Sequence, residues 1–153
     1  MELTDDMTQL NNIHDLLEDS RLGYMEAAER VEDEAVRDLL GMLSTGRVKL
    51  QEEVEALRRK ADPEAPPREG GTLKGDLHRT WMDLRDALSK SDNANVLKEC
   101  ERGEGFLLMR YDEVLVKNVA PETFTLANRQ RNVVEGNLDR IKQLRSSFEK
   151  IEQ

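Results

Sequence analysis

Residues 36–61 read VRDLLGMLSTGRVKLQEEVEALRRKA, and their apolar side chains decide the fold class. Val36, Leu40, Leu43, Leu50, Val54, Leu57 and Ala61 recur at intervals of three, four or seven residues. That spacing puts them on one face of a helix with 3.6 residues per turn. One residue breaks the stripe: Arg47 stands between Leu43 and Leu50 where an apolar side chain is expected, with Glu53 at the stripe's edge.

The same periodicity extends in both directions. Upstream, Leu3, Met7, Leu10, Ile13, Leu17, Tyr24, Ala28 and Val31 predict a helix from about Thr4 to Glu32, interrupted on its apolar side by His14 and Arg21. Only a short turn near Asp33 separates the two, so they are expected to lie antiparallel. Downstream, residues 62–71 (DPEAPPREGG) hold three of the four prolines and two adjacent glycines, which predicts a loop. Thr72 then serves as N-cap of a shorter helix ending near Ser89, with Leu73, Leu77, Trp81, Leu84 and Leu88 on one side. SKSDN breaks that pattern. A fourth helix is expected from about Ala94 to Asn118, facing inward through Leu97, Cys100, Leu107, Tyr111, Val114 and Leu115. Pro121 opens a fifth, with Leu126, Val133, Val134, Ile141, Leu144, Phe148 and Ile151.

No strand-like alternation appears, and the reading is all-α. Neither helical pair alone could cover its stripes, so residues 1–153 form one domain. A short helix between two antiparallel pairs can span the long crossover that distinguishes ferritin-like four-helix bundles from up-and-down ones.

Composition narrows the function. Apolar residues make up 37% and charged residues 36% of the chain, a mix suited to long solvated helices. The net charge of −9 repels phosphate backbones and anionic head groups, which disfavours nucleic-acid and membrane-surface roles. The acidic start MELTDDMTQL lacks the basic and apolar regions of a signal peptide, and no run approaches the roughly 20 apolar residues that span a bilayer. A single cysteine, Cys100, forms no internal disulfide, and a cytoplasmic location is expected.

Polar residues on apolar stripes are the candidate site. Besides Arg47 and Glu53, Glu104 falls between Cys100 and Tyr111, Glu101 lies one turn from Leu97, and Gln130 and Asn137 lie in line with Leu126, Val133 and Ile141. Buried charges need partners, so Arg47 and Glu104 are expected to form an interior ion pair that fixes helix register. The sharper alternative is a ligand or metal site. Gly103 and Gly105 bracket Glu104, and glycine weakens a helix interior, so close backbone approach is expected there. His78 reads as a capped or surface residue, with metal ligation or proton transfer as its functional alternative. His14 and Glu18 form an i, i+4 pair of the helix surface. Trp81 is a core anchor. Cys100 is a small core residue whose thiol pKa the neighbouring Glu99, Glu101 and Glu104 would raise.

The chain resembles an uncharacterised bacterial ferritin-like four-helix-bundle family, a domain of unknown function, over its full length. The resemblance rests on Leu10-Asn11, Asp19, Gly23-Tyr24 and Ala27-Ala28-Glu29 in the first helix, and on Arg47 and Glu53 in the second. Its most specific pieces are Leu77-His78-Arg79 with Trp81-Met82-Asp83, and Glu99-Cys100-Glu101-Arg102-Gly103-Glu104; Tyr111 and Gln130 complete it. It implies the ferritin-like fold and is nearly silent on activity. Ferritin-like relatives usually hold two iron or manganese ions, using a Glu from each of two helices and Glu-x-x-His from the others. Here Asn11 precedes His14 by three residues, Gly75 precedes His78, and the fifth helix has no histidine, with Leu138 where relatives often carry one. The standard set is therefore incomplete. A carboxylate-rich site from Glu53, His78, Glu101 and Glu104, taking Fe, Mn or Zn, stays open.

Three functions compete. The favoured one is a non-enzymatic bundle that acts through self-association or a protein partner, because the chain has no catalytic triad, phosphate-binding glycine loop or activated cysteine. The second is a metal-binding oxidoreductase or metal-storage protein with a degenerate di-metal site. The third is a small-molecule binder in which Arg47 and Arg79 receive an anion.

Overall fold

A computed structural model describes residues 5–68 and 75–151, with side chains described through 68 and from 79 to 150. These residues form five helices and no strand: α1 (Asp6–Arg30), α2 (Glu34–Ala61), α3 (Gly75–Ser89), α4 (Asn93–Leu115) and α5 (Pro121–Ile151). Thr4, the expected N-cap Thr72, and the side chains of Leu77, His78 and Ile151 lie outside the described residues.

Each well-defined start has a carboxylate to satisfy the orphan amides of the first turn. Asp5 accepts from Met7 N at 3.0 Å, Asp33 from Val36 N at 3.0 Å and Asp92 from Asn95 N at 3.0 Å. At the start of α5 the acceptor comes from another helix: Asp6 of α1 accepts from Ala120 N at 3.1 Å and from Thr123 Oγ1 at 2.9 Å. A negative charge at a helix N-terminus is favourable, so this contact also ties the start of α1 to the start of α5. Between α3 and α4 the chain reverses through Ser91, whose φ of 53° is left-handed.

Side-chain pairs fix the register. From the turn outward, Ser44 donates to Arg21 O, Arg47 to Ser20, Gln51 to Glu18 and Arg58 to Asn11, so α1 and α2 run antiparallel. Likewise Arg131 meets Asp112, Tyr111 meets Gln130 and Arg145 meets Glu101 across α4 and α5. Lys60 meets Glu122 and Arg129 meets Glu53, which sets α2 antiparallel to α5. Both α2 and α4 are thus antiparallel to α5 and parallel to each other. The connection between them must return along the molecule, and α3 makes part of that return, packed on α4 and α1. The loop before α3 is tied down by Arg58, which donates to Pro66 O at 3.3 Å, and by Arg68, paired with Asp15 at 2.6 Å.

The apolar stripes meet in two separate clusters. One gathers Tyr24, Leu40, Leu43, Leu84, Leu97, Cys100 and Ile141; the other gathers Leu10, Leu17, Leu50, Val54, Leu107, Tyr111 and Val134. Two expected core residues are exposed instead. Ala61 ends its helix in solvent, and Val133 is displaced outward because Val134 is the residue in helical phase with Ala127, Gln130 and Ile141.

At Gly23 the Trp81 ring of α3 lies close against α1: a Cβ there would lie 3.2 Å from Trp81 Cε3. Around Gly136 nothing among the described residues comes within 4 Å of such an atom. Replacing Gly136 by Ala is therefore expected to raise stability by about 0.5–1 kcal/mol, the helix-propensity difference. Gly23→Leu is expected to lower it by about 2 kcal/mol or more through displacement of Trp81. Urea unfolding of the two variants beside the parent checks both signs.

Candidate functional site

The gap between the two apolar clusters is filled by polar side chains at one level of the bundle. Arg47 lies between Leu43 and Leu50 on α2, and Glu104 between Cys100 and Leu107 on α4. Arg47 is 0% and Glu104 1% exposed, and Arg47 Nη2 donates to Glu104 Oε1. Two α1 residues complete the layer. Tyr24 OH donates to the same Glu104 oxygen at 2.6 Å, and Arg47 Nε donates to Ser20 Oγ at 3.0 Å. The guanidinium carbon also sits 5.7 Å from the Tyr24 ring centroid, within cation–π range. Arg47 Nη1 and Glu104 Oε2 have no hydrogen-bond partner among the described residues.

Burial works against charge at Arg47, yet the Glu104 carboxylate, supported by Tyr24, holds the guanidinium above its ordinary pKa. Burial pushes the Tyr24 phenol well up, and Glu104 adds to the shift. Burial likewise raises the Tyr111 phenol. The Cys100 thiol is raised by burial first and then by Glu104, Glu99 and Glu101, in the direction expected from its neighbours. The layer therefore sets the Arg47 guanidinium against the Glu104 side chain, beside the neutral Tyr24 phenol and the neutral Cys100 thiol. Nothing in it acts as an activated nucleophile.

A second network lies about two turns away. Tyr111 OH donates to Gln130 Oε1 at 2.7 Å, and Gln130 Nε2 donates to Leu50 O and to Glu53 Oε1, each at 3.1 Å. Glu53 also pairs with Arg129 at 2.6 Å. Glu101 belongs elsewhere again, paired with Arg145 at 2.8 Å.

Of the residues singled out from sequence, Arg47 and Glu104 meet directly. Glu53 and Glu101 do not join them. The side chain of His78 lies outside the described residues. Each described carboxylate of the candidate metal set thus faces a different guanidinium. Among the described residues no three His, Cys, Asp or Glu side chains are grouped to hold a metal ion. The anion-binding reading needs Arg47 and Arg79 on one surface, but Arg47 is enclosed and Arg79 exposed. The glycines flanking Glu104 mark no close approach either: a Cβ on Gly103 would reach Thr80 Cγ2 at an ordinary 3.5 Å, and one on Gly105 would meet nothing described within 4 Å. His14 is buried beside Asp15 rather than paired with Glu18, which instead bonds Arg21 and Gln51.

Sequence reasoning missed three contributors. Tyr24 scores as apolar by position, and only its hydroxyl signals a polar duty. Ser20 falls on the stripe, between Leu17 and Tyr24, but its small hydroxyl signals no partner. Arg58, 4% exposed and bonded to Asn11 at 2.7 Å, sits in a run of basic residues that reads as a solvated helix end. Asp19 is also buried, and burial, with the charges of Asp15 and Glu18, lifts its carboxyl to about 6.

Two outcomes follow from these charges. Removing one partner leaves the other charge buried and alone, so Arg47→Met or Glu104→Gln should each cost about 3–5 kcal/mol. The double variant should lose less than the sum by about 2 kcal/mol, as a double-mutant cycle in urea would show. For Asp19, a folded pKa near 6 against about 3.9 unfolded means its neutral form favours folding. That contribution is complete below about pH 4 and is lost as pH rises through 6. Asp19→Asn should therefore raise stability at pH 7.5 by on the order of 2 kcal/mol, with the gain fading towards pH 4, as melts across that range would show.

The family model described as a domain of unknown function, DUF2383, matches residues 5–117, which contain α1 to α4 and the whole Arg47–Glu104 layer. No curated protein and no solved structure matches the chain.

Proposed function

The chain belongs to DUF2383, a family of domains of unknown function, and on that premise we propose from the geometry that it is a non-catalytic helical bundle acting by association with another polypeptide. The observation that carries this reading is the pairing of the candidate-site charges with one another or with a neighbouring arginine. Arg47 is answered by Glu104, Glu53 by Arg129 and Glu101 by Arg145. A catalytic or ligand-binding pocket keeps charged groups available to an incoming molecule, whereas here each of these carboxylates faces a guanidinium, and the polar atoms left without a hydrogen-bond partner, Arg47 Nη1 and Glu104 Oε2 among them, are buried. A buried ion pair of this kind sets which helices meet and in what register.

The helix order supports a ferritin-like arrangement, with two antiparallel pairs and one long return between parallel α2 and α4. In such bundles the mid-level of the core holds metal. Here that level holds the Arg47 guanidinium, a cation built into the chain. A metal centre formed by Glu53, His78, Glu101 and Glu104 would have to displace three arginines from their carboxylates.

Elemental analysis of protein purified without chelators separates the two readings. Substoichiometric iron, manganese and zinc are expected. Stoichiometric metal that disappears in Glu53→Ala or Glu104→Ala would overturn the non-catalytic reading. The association itself is tested by crosslinking in cells at native abundance: crosslinks from this chain to another polypeptide, a second copy included, are expected, and only intrachain crosslinks would contradict it.

A further inference from the structure

The outer side of the α1–α2 hairpin carries a shallow groove of about 1020 Å³. Its floor is made of small residues, among them Ala28, Gly41 and Ser44, and its apolar walls are Met25 and Val48, each 41% exposed. Leu22, equally exposed, sits one turn before Met25 on the same helix. The remaining lining is charged, and the charges are sorted by end. Near the α1–α2 turn are Glu29, Asp38 and Arg37, net −1; at the opposite end are Lys49, Glu52 and Arg21, the last already paired with Glu18.

We propose that this face is the contact through which two copies of the chain associate, as an antiparallel pair of α1–α2 hairpins. The proposal rests on the association reading above and names its partner. A face that closes on itself must be self-complementary under a two-fold axis. An axis lying across the helices turns the acidic end of each groove over the end of the other that carries Lys49. It brings Asp38 of each copy towards Lys49 of its partner, with the apolar walls near the axis. An axis along the helices would stack like ends and is disfavoured electrostatically. Arg37 does not upset this arrangement, because it donates to Val31 O at 3.1 Å and to Glu32 O at 3.2 Å, which ties it to the turn. Asp38 and Lys49 form no ion pair among the described residues, so both are available across the contact.

The groove extends over residues 37–52 of α2, about 24 Å at 1.5 Å per residue, and is two helices wide. The area per copy is on the order of 500 Å², below the roughly 800 Å² of a standard interface, so the dimer is expected to dissociate on dilution through the micromolar range.

Sedimentation equilibrium across that range is the test, with circular dichroism to show that each variant stays folded. The parent chain should pass from monomer to dimer with rising concentration, and Val48→Asp should be monomeric throughout. Asp38→Lys and Lys49→Glu should each weaken association about tenfold or more by setting like charges together, and the D38K/K49E double variant should recover it. A parent chain that stays monomeric, a dimer unmoved by Val48→Asp, or a double variant no tighter than its singles would overturn the proposal. A monomeric chain that still crosslinks to a different polypeptide in cells would sink the homodimer and leave the association reading intact; intrachain crosslinks alone would end both.

Discussion

A guanidinium and a carboxylate facing each other in the buried interior set the terms for the rest of this molecule. Arg47 and Glu104 come from α2 and α4, helices that are distant in sequence and linked only through the long return containing α3. Neither charge is tolerable there without the other, because the desolvation of each is several kcal/mol. Any packing that slid α2 past α4 by one turn would leave both uncompensated. Leucines at these positions would tolerate such a slide more readily, since apolar stripes interlock at several offsets. The pair therefore acts as a register pin, and Tyr24 and Ser20 extend its hold to α1.

The pin also explains why the core divides in two. An ion pair with its hydrogen-bonding neighbours occupies a full layer of the bundle, so the apolar residues above and below it form separate clusters. The lower cluster has a polar brace of its own in Tyr111, Gln130 and Glu53, which joins α4, α5 and α2. With these interior charges paired in this way, the surface proposed for association is apolar and lies outside the bundle. The groove on the α1–α2 hairpin is such a surface.

Much of the fold was legible because helical periodicity is a local property. The stripe in residues 36–61, the short turn at Asp33 and the proline-rich loop each depend on residues close in sequence, and the observed α2 begins one residue after its Asp33 cap. Where two apolar residues compete for one inward position, as Val133 and Val134 do, the pattern leaves the choice to packing, and Val134 takes it. The candidate site was legible in part. An arginine on an apolar stripe needs a buried anion, and Glu104 was the residue in a matching position. The fates of Glu53 and Glu101 were not legible. Both lie at stripe edges, and which neighbour claims them depends on arginines of α5 placed by the tertiary register. Tyr24 and Ser20 escaped notice for a related reason: a hydroxyl's partner is a matter of three-dimensional proximity, which one sequence does not display.

The central claim is that the interior cation is Arg47 itself, held by Glu104 and closed to exchange with solvent or metal. Nitrogen-15 NMR of the arginine side chains tests it most directly. The account predicts that the Arg47 Nε–H and Nη–H resonances are resolved and slowly exchanging at neutral pH, and unmoved by added zinc ion. Arg47 resonances exchanging as fast as those of the exposed arginines, or shifting when zinc is added, would contradict it.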